Sequence, residues 1–407
     1  MWWYNLGIHA YTAAIRVAAP FSVKAKLWTH GRKNIMQRLR ESVRGEKIIW
    51  VHAASLGEFE QGRPVIEALR ERCPEYKILL TFFSPSGYEI RRNYNGADWV
   101  FYLPADTARN ATEFLDIVRP AAAVFIKYEF WLNYLNELAV RGVPTFLISA
   151  IFRRDAVFFK PFGKAFLSAL GTFRTIFVQD QPSRQLLEDF GVGQAVVAGD
   201  TRFDRVTTIV RNAVKLPIVE DFAAGCPVFV AGSTWGPDEQ ILAELINRTD
   251  GVKFIIVPHE IDNSRIEKFA VAVTGGCQRY TSYEQGREAK VLVIDTIGVL
   301  SSVYRYGRYA YVGGGFGVGI HNTLEAAVYG IPVAFGPNYK KFREAVELIA
   351  AGGAASISDS TGLTAWFRRL ESDDSAWQSA ATAAGNYVAT HTGATETILK
   401  TLTDTLC

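Results

Sequence analysis

Residues 309–337 read YAYVGGGFGVGIHNTLEAAVYGIPVAFGP. The first four residues form a short apolar run that predicts a buried strand. Gly313, Gly314, Gly315, Gly317 and Gly319 then predict a loop with exposed backbone, and residues 321–329 predict a helix. Strand, glycine turn, helix and a second apolar run are the repeating unit of a doubly wound α/β sheet. In such a unit the helix start carries unpaired N–H groups and a positive dipole end, so phosphate is favoured there, and glycines let it come close. Glu325 would repel phosphate but can accept ribose hydroxyls, as an acidic residue does in dinucleotide sites. The glycine spacing does not match GxGxxG, so the glycines by themselves fit a plain turn before a capped helix equally. The segment HNTLEAA favours a ligand site.

The 407 residues exceed one ordinary core, which predicts two domains of similar size, and an apolar content of 49% supplies both. A net charge of +3 argues against a nucleic-acid binder. Cys73, Cys226, Cys277 and Cys407 show no CxxC spacing, which fits a reducing compartment and gives no zinc motif.

Residues 1–21, MWWYNLGIHAYTAAIRVAAPF, are apolar and aromatic, yet His9 and Arg16 interrupt them before the length of a membrane span is reached. The basic residues follow: Lys24, Lys26, Arg32, Lys33, Arg38 and Arg40. An aromatic start and a cationic finish predict a segment that associates with a membrane from its cytoplasmic side, with packing on the protein itself as the other reading.

From Lys47 onward, KIIWVHAAS, KILLTFFS, WVFYLP, AAAVFIKY, TFLISAI, TIFVQD and AVVAGD predict successive strands, with helices over 59–72, 107–118, 131–141 and 182–190 between them. A second series, CPVFVAGST, VKFIIVPH, KVLVID, YAYVGG and IPVAFG, follows a mixed stretch. The expected organisation is a membrane-associating segment at 1–40, a Rossmann-like domain at 41–210, a second at 211–375, and closing helices at 376–407 that can return to the first. Two such domains imply ligands at the carboxyl ends of their strands, in a cleft that the two domains face.

The chemically able residues fall just after strands. Glu58, in HAASLGEFE, can take a proton from an attacking hydroxyl. Ser55 and Glu58 also spell a capping box, S-x-x-E. Lys127, Glu129 and Trp131 in IKYEFW can meet sugar hydroxyls or a ring, or serve helix N-terminal chemistry. Ser84, Ser86 and Gly87 in SPSG can cradle an anionic acceptor group or form a simple turn. In the second half, Gly232, Ser233 and Thr234 stand at another phosphate-facing turn or N-cap. His259 follows the next strand, and no second His stands at ligand spacing, so no metal is assigned. Arg202 lies at the passage between domains, able to meet an anion or to bridge the hinge.

In order, KAKLWTHGRK, HAASLGE, SPSGYE, KYEFW, GDTRFDRV, GSTWGPDE, VPHE and HNTLEAAVYGIPVAFGP resemble the 3-deoxy-D-manno-octulosonic acid (Kdo) transferases. The resemblance covers nearly the whole chain. It implies a GT-B glycosyltransferase that moves Kdo from CMP-Kdo to a lipid A precursor with inversion, at the cytoplasmic face of the inner membrane, without metal or cofactor. It also implies Glu58 as catalytic base, Glu129 as an acceptor-side carboxylate, and Asn322 with Glu325 as nucleotide-ribose contacts. His259 would help bind the nucleotide, beside the loop of Gly314, Gly315 and Gly317. Relatives often carry Pro where this chain has Leu132 and Ala326, which leaves the local backbone open. The alternatives are a GT-B relative acting on a UDP-sugar, as transferase or epimerase, and a membrane-bound sugar-nucleotide sensor without catalysis.

Overall fold

The computed structural model describes residues 2–160 and 163–406. Two compact units emerge: residues 1–204 with 392–407, and residues 205–391.

The seven apolar runs of the first unit are its seven strands: β1 Ile48–Ala53, β2 Lys77–Phe82, β3 Trp99–Tyr102, β4 Ala122–Ile126, β5 Thr145–Ala150, β6 Thr175–Val178 and β7 Ala195–Val197. They form one sheet in the order β3-β2-β1-β4-β5-β6-β7, every pair parallel. All six residues of β1 are buried, because helices cover both faces of a parallel sheet. Trp50 packs on one face against Phe114, Phe125 and Tyr134. Ile49 and Val51 share the other face with Val65, Ile66 and Leu69, and with Ile398, Leu399 and Leu402 of the last helix, Ala394–Leu406. That helix is fixed at its start by Asp204, whose carboxylate accepts from the amides of Gly393 and Thr395. The helix before it, Asp374–Thr390, belongs to the second unit.

The second unit repeats the plan with β8 Val228–Thr234, β9 Lys253–Pro258, β10 Cys277–Arg279, β11 Val291–Val293, β12 Tyr309–Val312, β13 Val333–Phe335 and β14 Ala354–Ser356. Their order is β10-β11-β9-β8-β12-β13-β14, again all parallel. The two strands absent from the sequence reading, β10 and β14, are the three-residue edge strands. An edge strand is half-covered, so it needs no apolar run to announce it.

Residues 2–18 form a 17-residue helix without a buried residue. No helix of the described residues is long and apolar enough to cross a membrane. The helix docks through polar tips. Tyr4 donates its hydroxyl to Asp106 at 2.5 Å, and Asn5 accepts from Asn133 Nδ2 at 2.9 Å. Asp106 in turn accepts from the amides of Asn133 and Tyr134, capping helix Leu132–Val140, whose own N-cap Trp131 makes no side-chain cap. Leu132 uses its amide, which a proline there would lack, to reach Tyr4 Oη at 3.4 Å.

Candidate active site

At the carboxyl end of the first sheet, β1 runs into helix Leu56–Arg72 through a turn at Ala54 and Ser55. The capping box read from the sequence is present at Glu58. Its Oε2 accepts from Ser55 N at 2.9 Å and from Ser55 Oγ at 3.0 Å, which satisfies an amide at the helix start. Oε1 takes no part in those bonds. Burial, and then the charge of Glu129, push the Glu58 pKa above the ordinary glutamate range; Ser55, His52 and Lys127 pull the other way. A carboxylate raised in this manner is a better proton acceptor near neutral pH.

Glu129 is held from behind. β4 ends at Ile126, and Lys127 adopts a left-handed backbone with φ of 67°, turning the chain so that Glu129 comes under β1. There Glu129 Oε2 accepts from Trp131 Nε1 at 2.6 Å and lies 3.0 Å from Nε2 of His52, which is wholly buried. His52 Nδ1 lies 2.9 Å from Thr81 Oγ1, and Thr81 accepts from Trp50 Nε1 at 2.8 Å. Trp131 Nε1 also lies 3.0 Å from His52 Nε2; with Trp50 donating to Thr81, Thr81 to His52 Nδ1, and both Trp131 Nε1–H and His52 Nε2–H to Glu129 Oε2, the carboxylate takes both protons. The register explains the geometry, because His52 faces Thr81 across the β1–β2 pair. His52, Thr81 and Trp131 were not picked out by the sequence as a network. The alternation of Trp50 and His52 along one strand was the available signal.

The remaining acceptor-side candidates, and Arg202 at the passage between domains, have local partners. Ser84 caps helix Pro85–Arg91, accepting from Ser86 N at 3.2 Å, and the amides of Gly87 and Tyr88 turn back onto Ser84 O. Those amides are spent within a seven-residue turn of helix. Arg202 places Nε and Nη2 on Asp200 Oδ2 at 2.9 and 2.7 Å within the first unit.

In the second unit the glycine block differs in one respect from its reading. The helix expected over 321–329 is a single turn, Leu324–Ala327. Asn322 Oδ1 accepts the amide of Leu324 and holds His321 and Asn322 in the loop, while Gly330, with φ of 66°, and Pro332 stop any extension. Four residues carry little dipole, and the preceding loop is held by its own amides: Gly313 donates to Gly232 O, and Gly317 and Gly319 to Gly314 O. Gly314 has φ of 91° and donates its amide to Asp238 Oδ2 at 2.9 Å. Gly315 lies against Gly336 so closely that a Cβ would stand 2.6 Å from the Gly336 backbone. Gly317 is exposed.

Asp238, 1% exposed, is the clamp of this region. Besides Gly314 N, its Oδ2 accepts from Trp235 N at 2.9 Å, and its Oδ1 accepts from Tyr311 Oη at 2.6 Å. It thereby ties the start of helix Gly236–Asn247 to the glycine loop after β12. Gly232 makes room for the Tyr304 hydroxyl, Ser233 takes a left-handed φ of 54° at a bulge in β8, and Thr234 donates to Glu239 Oε1 at 3.0 Å. His259 stacks between Trp235 and His321, with ring centroids 4.6 and 4.3 Å apart. Trp235 Nε1 lies 3.1 Å from His321 Nε2, and burial followed by His259 lowers the His321 pKa, so a neutral ring accepts this bond. Asn322 Nδ2 donates to Glu325 Oε1 at 3.1 Å, which joins the two residues singled out for the ribose. Trp235, Asp238 and His321 were missed as site residues.

The sequence of residues 30–205 matches the family model described as 3-deoxy-D-manno-octulosonic-acid transferase (kdotransferase). The 3-deoxy-D-manno-octulosonic acid transferase of Aquifex aeolicus is 28% identical over 77% of this chain and 83% of its own length. That of Bordetella pertussis is 27% identical over 98% of this chain and 100% of its own. Among solved structures, an S. aureus MnaA–UDP complex superposes with a TM-score of 0.56 at 15% identity over 87% of this chain and 95% of that one. Acinetobacter baumannii MurG gives 0.55 at 12% over 88% and 100%. These two establish likeness of fold alone. With two parallel seven-stranded units, the chain is a glycosyltransferase of the GT-B fold, similar over most of its length to the 3-deoxy-D-manno-octulosonic acid transferases.

Proposed function

We propose that this protein transfers Kdo from CMP-Kdo to a hydroxyl of a lipid A precursor in lipopolysaccharide core biosynthesis, with inversion and with Glu58 as general base. The observation that carries the reading is the Glu58 carboxylate itself: one oxygen is occupied as a helix cap, the other is left for a proton, and its pKa is raised. Glu129, fixed through Oε2, offers its second oxygen to a hydroxyl of the acceptor. In the second unit the Trp235–His259–His321 stack supplies a flat surface for a nucleobase, Glu325 and Asn322 meet the ribose, and the loop from Gly314 to Gly317 faces the phosphate. CMP leaves readily, so catalysis consists of deprotonating the nucleophile, stabilising the departing phosphate and excluding water. No metal or cofactor takes part.

The enzyme works at the cytoplasmic face of the inner membrane, with helix Trp2–Ala18 on the bilayer surface. Mass spectrometry of a lipid A precursor incubated with the enzyme and CMP-Kdo is expected to show added Kdo. An unchanged acceptor mass, with a UDP-sugar consumed instead, would overturn the assignment.

His52 gives a second test. A hydrogen bond to a charged group contributes about 1.5–3 kcal/mol. Removing the His52 bond to Glu129 by His52→Phe is therefore expected to lower kcat/KM roughly 10- to 100-fold. His52→Gln, which can still donate, is expected to recover part of it. Equal activity of the Phe variant and wild type would remove Glu129 anchoring from the mechanism.

A further inference from the structure

Two contiguous cavities of about 370 and 610 Å³ run between helix Trp2–Ala18, helix Val23–Gly31 and residues 104–110, and share Thr12, Arg16, Ala105 and Asn110. Their linings contain Arg16, Arg32, Lys33 and Arg109, with His9 and His30, and no Asp or Glu. Among the described residues none of the four long cations pairs with a carboxylate. Arg32 is the inner one. Its guanidinium donates to the carbonyls of Leu103, Trp28 and Phe83 and lies 3.9 Å from the Trp28 ring centroid, so it is oriented but not neutralised. Four uncompensated cations around one groove make a strongly positive field there.

The groove has an apolar flank. Trp2, Leu6 and Val17 are spaced to fall on one side of their helix and are 77, 62 and 73% exposed. They stand next to the row His9, Thr12 and Arg16 that lines the cavities. A cationic pocket beside an exposed apolar stripe matches an amphiphile that carries phosphate on its head and acyl chains behind it. A ring row connects this groove to the acceptor-side carboxylate Glu129: Trp28 to Phe83 at 6.0 Å, Phe83 to Trp131 at 4.5 Å, and Trp131 to Glu129 through its Nε1.

We infer that the groove seats a phosphate of the acylated sugar acceptor, with Arg16, Arg32, Lys33 and Arg109 as its partners. This rests on the proposed transfer for the identity of the acceptor. Helix Trp2–Ala18, which supplies one wall, precedes the part of the chain that matches the family model.

The test measures equilibrium binding of a phosphorylated lipid A precursor and its dephosphorylated form to the full chain in neutral detergent micelles, without donor. Wild type is expected to prefer the phosphorylated form by about tenfold or more, and the exposed double variant Arg16→Gln/Arg109→Gln to reduce that preference to about twofold or less. A double variant that keeps the wild-type preference overturns the site. So does a defect seen only as weaker sedimentation with phosphatidylglycerol vesicles, which assigns the groove to bilayer lipid. If wild type shows the preference but transfers no Kdo, the groove stands and the proposed reaction falls.

Discussion

Glu58→Gln is expected to lower kcat by about a thousandfold, within the range of 10²–10⁴ that a positioned general base contributes. CMP-Kdo binding should survive, since the residues proposed to hold the donor lie in the second unit. Gln can still accept from the Ser55 amide, so the cap on helix Leu56–Arg72 persists. The sign of the stability change can be worked out. Glu58 has a folded pKa above its unfolded value, so folding favours its protonated form. Stability therefore falls as pH rises through the window between the ordinary glutamate range and the raised value, and above that window the ionised group opposes folding. A neutral Gln escapes the opposition, and the variant should melt no lower than wild type at neutral pH. An inactive variant with a lowered Tm would point to a structural role instead. The same shift places the acid limb of the kcat/KM profile above the usual glutamate range. Glu129→Gln, which removes the charge that raises the Glu58 pKa, should move that limb to lower pH.

The first unit was legible because its strands are buried on both faces and read as unbroken apolar runs. Edge strands such as Cys277–Arg279 carry polar residues and only three positions, too few for a periodic signal. The cap at Glu58 was legible as well, since S-x-x-E just after a strand spells it directly. His52 was not. Its partners Thr81 and Glu129 lie 29 and 77 residues away and reach it only because β1 sits between β2 and β4. Trp235 and His321, 86 residues apart, meet for the same reason, as β8 and β12 are neighbours in the second sheet. The helix over 321–329 was overread because HNTLEAAVYG has apolar residues at helical spacing, whereas an Asn side chain that accepts a nearby amide delays the start.

Asp238→Ala is expected to weaken CMP binding by about 30-fold or more and to lower Tm, because one carboxylate serves three donors, two of them buried. Each buried donor left without a partner costs about 1–3 kcal/mol. The loop relaxes to recover part of this through water, and the relaxation releases Gly314 from the left-handed turn that Asp238 Oδ2 holds. His321, which donates its own amide to Gly313 O, shifts with that turn and leaves the stack on His259. Loss of loop order thus reaches both the loop proposed to face the phosphate and the flat surface proposed for the base. Tyr311→Phe separates these effects. It removes only the Oδ1 partner, leaves the two amides on Oδ2, and should cost roughly 1 kcal/mol of stability with CMP affinity nearly unchanged. Calorimetric titration of CMP into the two variants, with Tm measured alongside, distinguishes a clamp of the donor loop from a simple core carboxylate. Should Asp238→Ala lose stability yet bind CMP as wild type does, the glycine loop would be excluded from the donor site, and nucleotide recognition would have to rest on His259, Asn322 and Glu325.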